Sequence, residues 1–417
     1  MRNIQPKKLK SVNSDTLLAT VDIGKNAFSG YARCPDRSEM KPSDFSNNFA
    51  GFVRFWNTLV QRRKAHGLKQ IVLGFESTGV YAEPLLHFLK DKPVRLVQVN
   101  PMHTKRVKEL NGNSPNKTDQ KDPKVIADII ELGHGLTVLI PQGAAAELRR
   151  LTQARERTIK RRTALFNQLH DLVFISFPEF FQVIKNIKTT SARYLLRHHA
   201  RPESVVREGL ASLTQALKRV SRGRLGPAKA QALFDAAASS VGLREGCLGV
   251  DLEIQALLEA IEGCERFVQR LETEMALHLE EIPYSRLLLS MKGLGPITVA
   301  GLIGEVGDFR HFDTQKEILK LAGLDLFEIS SGKHKGQRRI SKRGRPLLRK
   351  ILYFAALNTV RKGGIMHEHY QQHLQKGMPR SKALIAIARK LLGIILALVR
   401  TQTEYAVDRQ IELAKVA

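Results

Sequence analysis

The sequence predicts an α/β domain followed by two helical ones. Apolar runs alternate with helical stretches over residues 16–140. Strand patterns fade over 145–285, where charged helix-formers dominate, and residues 286–400 are helical and punctuated by glycine. The predicted domains are 1–145, 146–285 and 286–417, in line with the two or three that 417 residues suggest.

In the first domain, "TLLATVDIG" is an apolar strand run that ends on Asp22. "AFSGYARC" follows a tight "GKN" turn, which predicts a hairpin. "QIVLGFES" (70–77) and "VRLVQVN" (94–100) are two more buried strands. Helical stretches such as "EPLLHFLKD" and "PKVIADIIELG" lie between and after them, so the sheet is expected to be covered by helices. In the second domain, Leu257, Ile261, Cys264, Val268, Leu271, Met275 and Ile282 form a heptad seam. That seam predicts a long helix in a coiled coil, within the chain or between chains, with Cys264 in its core. The piece over 186–250 is basic and broken at "SRGRLGP" and predicts little more. Seven basic residues and one acid lie between 149 and 162.

Lys and Arg outnumber Asp and Glu by 67 to 40, with a net charge of +27. An excess of this size points to a polyanionic partner, most often nucleic acid. Three scattered cysteines without a CxxC pair argue against a zinc module and a disulfide framework, and for a reducing compartment. The N-terminus has no apolar signal core. The most apolar run (383–399) contains Arg389 and Lys390 and is read as a buried helix. The expectation is a soluble, cytoplasmic protein without a membrane partner.

Candidate chemistry begins with carboxylates. Asp22 closes one strand and Glu76 closes another, and a buried carboxylate is costly unless paired or bound to a cation. Asp119 and Asp122 share a face if a helix starts there, with Pro123 suited to its first turn. Singly, each has an ordinary reading: a turn former at Asp22, a helix cap at Glu76, caps or solvated charges at Asp119 and Asp122. Together they could converge on one site for Mg²⁺ or Mn²⁺, where two ions about 4 Å apart support phosphoryl transfer. A strand, a hairpin, a further acidic strand and an acidic helix give a ribonuclease-H-like order of parts. "DIG" after a strand also occurs in actin-like sugar kinases and ATPases, but the glycine-rich phosphate loops that class needs are not found. Glu83, Asp128 and Glu131 are assigned to helix surfaces.

In the third domain, Gly293 and Gly295 lie in "MKGLGPITVAGLIGEVGDF", which resembles a helix-hairpin-helix element. Its glycine turn would offer backbone N–H groups to a DNA phosphate, although Val299 occupies a position where a small residue is usual. The alternative is an ordinary turn between packed helices. "SSGKHKGQRRISKRGRPLLRK" (330–350) has nine basic residues and no acid. Lys333, Lys335, Arg338, Arg339, Lys342, Arg343 and Arg345 are expected to contact phosphates. Ser331 precedes Gly332, which allows close approach of a large substrate, but no activating base is evident beside it. From spacing, Ser331 is read as a loop hydroxyl touching phosphate, or as a nucleophile. His367, His369 and His373 are read as a solvated helix face rather than metal ligands.

"TVDIGKN", "GFESTGVY", "NKTDQKD", "KGLGPITVAGLIGEVGDF", "GLDLFEISSGKHKGQRRISKRGRPLLRK" and "MPRSKALIAIARKLL" occur in that order. Over roughly 16–400 they resemble the DEDD transposases of the insertion-sequence 110 type, which are related to Piv-type DNA invertases. The resemblance implies a RuvC-like, ribonuclease-H-fold domain, then a coiled coil, then a mainly helical transposase domain. It implies that Asp22, Glu76, Asp119 and Asp122 hold the metal ions. It also implies that Ser331 is the nucleophile of a covalent phosphoserine link to DNA, with Ser330 the alternative and Ser341 a weaker one. A structured guide RNA, the bridge RNA, joins donor and target DNA as an implied partner. A coiled coil and the need for two active centres predict a dimer that becomes a tetramer on DNA. Pro123 departs from the alanine more usual in the family. The competing functions are an invertase of the same family, a metal-dependent junction nuclease without a covalent intermediate, and a binding protein without activity.

Overall fold

A computed structural model describes residues 12–76, 79–111, 122–138, 140–328, 336 and 338–406. The chain divides into two compact units, residues 1–140 and 141–417, so the predicted second and third domains lie in one unit.

The first unit contains β1 (Thr16–Ile23), β2 (Ala27–Arg33), β3 (Glu39–Ser46), α1 (Phe49–Ala65), β4 (Gln70–Glu76), α2 (Glu83–Leu89), β5 (Val94–Val99), α3 (Pro101–Asn111), α4 (Asp122–Glu131) and β6 (Leu136–Thr137). The sheet order is β3-β2-β1-β4-β5-β6. β2 is antiparallel to β1 and β3, whereas β4 runs parallel to β1 and β5. The first hairpin closes where the "GKN" turn predicts, with the Gly24 N–H donating to the Ala27 carbonyl at 2.9 Å. β3 is a strand that the sequence hides, because "EMKPSDFS" is polar and contains Pro42. It is tolerated at the sheet edge, and its pairing with β2 shifts register between Gly30 and Ala32.

Helices cover both sheet faces, which is why β1 and β4 read as nearly unbroken apolar runs. Leu17, Ala19, Val21, Ile71, Leu73 and Phe75 pack with Phe52, Phe55 and Leu59 of α1. On the opposite face Leu18, Val72 and Val97 pack with Val125, Ile126, Ile129 and Ile130 of α4. Gly74 is required there, because a Cβ would lie 2.0 Å from the Ile130 Cδ1.

The second unit is almost wholly helical. It begins with α5 (Gly143–Ser176), then α6 (Phe180–Val183), α7 (Thr190–His198), α8 (Pro202–Glu208), α9 (Leu210–Val220), α10 (Pro227–Ala238) and α11 (Cys247–Glu280). The two long helices, α5 and α11, have 34 residues each and run antiparallel. Arg155 pairs with Glu272 at one end, while Phe166, Leu169 and Val173 meet Ile254, Leu257, Leu258 and Ile261 at the other. The heptad positions of α11 are buried, so within this unit the seam faces α5 of the same chain. The uninformative 186–250 stretch folds as α7 to α10, whose Leu195, Val205, Leu213, Leu217 and Leu233 join the same core.

The unit continues through α12 (Ser285–Leu289), α13 (Pro296–Val306), α14 (Gln315–Ala322), β7 (Leu326–Phe327), β8 (Arg339–Ile340), α15 (Pro346–Thr359), α16 (His367–Gln375) and α17 (Arg380–Thr401). The α17 helix is buried continuously from Leu391 to Val399, as the apolar run predicts. Among the described residues no helix is long and apolar enough to cross a membrane.

Candidate active site

The fold brings Asp22, Glu76 and Asp122 to one side of the sheet. Thr16 to Val21 of β1 pair in sequence with Gln70 to Phe75 of β4, so Asp22 and Glu76 follow as the next residue on neighbouring parallel strands. Side chains alternate along a strand. Leu18 and Val72 belong to the α4 face, so Asp22 and Glu76, each four residues further on, share that face. Asp122 opens α4 itself, and the Thr20 hydroxyl donates to the Pro123 carbonyl at 2.6 Å in the core. That bond fixes the start of α4 beside the strand position two residues before Asp22. Pro123, the departure from the usual alanine, is buried in the first helical turn. The three acids are half-buried. Their donor set is all carboxylate oxygen, which suits hard divalent ions. Asp119 lies outside the described residues.

The far end of α4 is held by an ion-pair network that the sequence does not announce. The Arg33 guanidinium donates to Asp128 at 2.8 Å, to Glu131 at 3.2 Å and to the Tyr31 hydroxyl at 2.8 Å. It also pairs with Glu39 at 3.1 Å. Asp128 and Glu131, expected as plain helix surface, therefore fasten α4 to β2. Burial alone would lower the Arg33 pKa, but bonding to Asp128 and Tyr31 raises it. The Lys124 ammonium, donating at 2.8 Å, and the Tyr31 hydroxyl push the Glu39 carboxyl down to about 2.

In the second unit, β7 and β8 form the base of a hairpin that carries the basic segment. Ser330, Ser331, Gly332, Lys333 and Lys335 lie outside the described residues. The hairpin base is closely built. The Ser341 N–H donates to the Asp325 carbonyl at 2.8 Å, and the Ser341 hydroxyl donates to the Asp325 carboxylate. The Lys342 N–H reaches the Gly323 carbonyl at 3.0 Å and the Arg345 N–H the Leu321 carbonyl at 2.7 Å. At Gly344 a Cβ would lie 2.3 Å from the Gly323 nitrogen, so only glycine fits. Ser341, the weaker nucleophile candidate, thus serves as a hairpin clasp. Arg338, Arg339, Lys342 and Arg343 are exposed, with Arg338 paired to Glu328 at 3.0 Å. Arg345 differs from the expectation. Its guanidinium turns inward and donates to the Glu305 carbonyl. Burial, together with the nearby Arg149 guanidinium, pushes its pKa down to about 10. It ties α15 to α13 instead of presenting charge to phosphate.

Gly293 and Gly295 lie in the exposed turn between α12 and α13. Gly293 has a φ of 105° and Gly295 caps α13, while Val299 and Ala300 are wholly buried beneath. In α16, His367 Nδ1 lies 2.9 Å from the Val360 carbonyl, and His369 Nε2 lies 2.7 Å from the Lys390 ammonium. These two imidazoles make hydrogen-bond contacts within the unit.

An α/β unit and a helical unit make up a strongly basic chain, a charge that points to a polyanionic partner. A DEDD transposase model of the IS110 type matches residues 19–178, and the Transposase IS116/IS110/IS902 family model matches residues 285–371. An insertion element IS110 protein of Streptomyces coelicolor is 23% identical over 92% of this chain and 94% of its own length. An IS116 protein of Streptomyces clavuligerus is 27% identical over 94% of this chain and 96% of its own. The transposase for insertion sequence element IS1111A of Coxiella burnetii is 24% identical over 74% of this chain and 72% of its own. The chain belongs to the IS110-type DEDD transposases and is a DNA-recombining enzyme.

Proposed function

We propose that this transposase moves its insertion element by breaking and rejoining DNA, with Asp22, Glu76, Asp119 and Asp122 as metal ligands and Ser331 as nucleophile. The observation that carries the reading is the shared face of Asp22 and Glu76 on adjacent strand ends, with Asp122 opening α4, whose first turn is tied to β1 on that face by the Thr20–Pro123 bond. Two Mg²⁺ or Mn²⁺ ions bound by these carboxylates would supply Lewis acidity at the phosphate and lower the pKa of the attacking hydroxyl. The Ser331 Oγ forms an ester bond to phosphorus while the bond from phosphorus to the leaving strand oxygen breaks. The serine hydroxyl gives up one proton and the leaving oxygen takes one. Attack by a second strand end reverses the step, so bond energy is conserved through the exchange. Gly332 leaves the backbone room for DNA. Arg338, Arg339, Lys342 and Arg343, with Lys333 and Lys335, hold phosphates beside the serine. The turn at Gly293 and Gly295 offers N–H groups to a further phosphate.

The same reading gives the first unit a RuvC-like role and divides the second into 146–285 and 286–417. The first of these is a coiled coil built on α5 and α11, and the second is the transposase domain. A structured bridge RNA guides donor and target choice, with a dimer assembling to a tetramer on DNA. The net charge of +27 suits two nucleic-acid partners.

The test is a denaturing trap of protein–DNA adducts with Mg²⁺. A covalent adduct is expected, lost in Ser331→Ala and kept in Ser330→Ala. Cleavage without an adduct that persists in Ser331→Ala would instead establish water as the nucleophile, as in a junction nuclease.

A further inference from the structure

We infer that Cys34, Asp36 and His66 form a second metal site, of zinc type, separate from the carboxylates at the strand ends. Among the described residues, these three bring one ligand atom each to within 4.8 Å of one another. No short motif in the sequence holds them together. Cys34 and Asp36 lie in the turn after β2, and His66 caps the C-terminus of α1 about thirty residues later. A missing CxxC pair argues against zinc only when the ligands are neighbours in sequence; here the fold supplies the third.

The geometry suits a tetrahedral ion. Nδ1 of His66 lies 3.4 Å from Oδ2 of Asp36. Ligand bonds of about 2.0–2.1 Å to nitrogen and oxygen make the edge of a zinc tetrahedron about 3.3–3.4 Å. The other carboxylate oxygen, Oδ1, is already engaged. It accepts from the Ser38 N–H at 2.9 Å and from the Ser38 hydroxyl at 2.6 Å, which orients Oδ2 toward the imidazole. The turn is fixed by the Cys34 N–H donating to the Ser38 carbonyl at 2.9 Å and the Arg37 N–H to the Cys34 carbonyl at 3.0 Å. Arg37 adopts φ 67° to close it. Cys34 is 3% exposed, while Asp36 and His66 reach solvent, so an ion enters from one side and keeps a water as its fourth ligand. The negative end of α1, at His66, favours a cation there.

Binding converts the Cys34 thiol to a thiolate and releases one proton to solvent, while His66 supplies the Nδ1 lone pair in its neutral form. Thiolate and carboxylate together balance the two charges of the ion. A thiolate-imidazole-carboxylate set selects Zn²⁺ or Co²⁺ over Mg²⁺, whereas the all-oxygen strand-end group has the opposite preference. The ion would staple the β2–β3 turn to the end of α1.

The test is titration of the full chain with Co²⁺ and then Zn²⁺ in excess Mg²⁺, followed by absorption. One equivalent of Co²⁺ is expected to give a thiolate charge-transfer band in the near ultraviolet, displaced by Zn²⁺ with release of about one proton. Both Cys34→Ser and the exposed His66→Gln should abolish the band and weaken Zn²⁺ binding at least about tenfold. No band in the parent chain overturns the site. A band that survives Cys34→Ser assigns it to Cys247 or Cys264 and overturns it as well. A band lost in Cys34→Ser but unchanged in His66→Gln leaves a lone thiol and removes the three-ligand site. Should Cys34→Ser fail to fold, His66→Gln decides alone.

Discussion

At the residue scale, the acids matter by where their backbone puts them. Asp22→Asn keeps the shape of the β1 end and removes a charge from the proposed metal ligands. Loss of outer-shell partners costs a metal site about 10–100-fold, so loss of this ligand should cost at least about 100-fold in strand cleavage. DNA retention in a gel assay should stay near the parent level, and undiminished cleavage would remove Asp22 from the site. Gly74→Ala tests the support beneath the acids. Its Cβ would meet Ile130 at 2.0 Å and Thr20 at 3.3 Å, so α4 must shift or Ile130 must leave its rotamer. Overpacking of this kind costs about 1–3 kcal/mol. Chemical denaturation should show that loss, and Ile130→Val in the same chain should recover part of it.

At the element scale, α11 has to be covered, and α5 covers it. Ile261 is fully buried in their shared core. Ile261→Ala should lower the stability of the second unit by about 2–5 kcal/mol. The loss should not vary with protein concentration, since the seam is filled within one chain; a concentration-dependent midpoint would put it between chains. The clasp between β3 and α4 has a pH dependence with a definite sign. Glu39 titrates at about 2 when folded, against an ordinary 4.5. Its contribution is therefore complete above about 4.5 and is lost as pH falls through about 2. In unfolding measurements, Glu39→Gln should be less stable than the parent at neutral pH and should converge with it as pH nears 2. A constant gap across that range would show that the carboxylate charge is not what Lys124 holds.

At the scale of the whole molecule, charge governs association. With a net charge of +27, DNA affinity should fall linearly with the logarithm of salt. Arg343 is exposed on the basic segment. Arg343→Ala should make the slope shallower by about 1, without changing sequence preference. Arg345→Ala should leave the slope unchanged and lower stability, since its head group bonds to the Glu305 carbonyl. Equal slope changes in both variants would mean that Arg345 also meets phosphate.

The strands β1, β2, β4 and β5, the hairpin turn and the buried α17 were legible because their patterns are local: alternation, apolar runs and turn residues act over a few positions. The register of the heptad seam was legible for the same reason. β3 was not, because an edge strand needs no apolar face and can carry Pro42. Thr20 is one polar residue in an apolar run, yet its hydroxyl positions α4 from 103 residues away. Arg345 reads as one more positive charge among nine, and only its burial separates it from its neighbours.

By itself, then, the sequence determined the kinds of element, the acids that end them and the attraction to polyanions, because each depends on residue type and short spacing. The tertiary structure decided the partner of α11 within the unit, the inward turn of Arg345, the face shared by Asp22 and Glu76, and the meeting of His66 with Cys34 and Asp36. These depend on which distant segments pack together, and packing is set by the fit of whole faces rather than by any neighbouring residue.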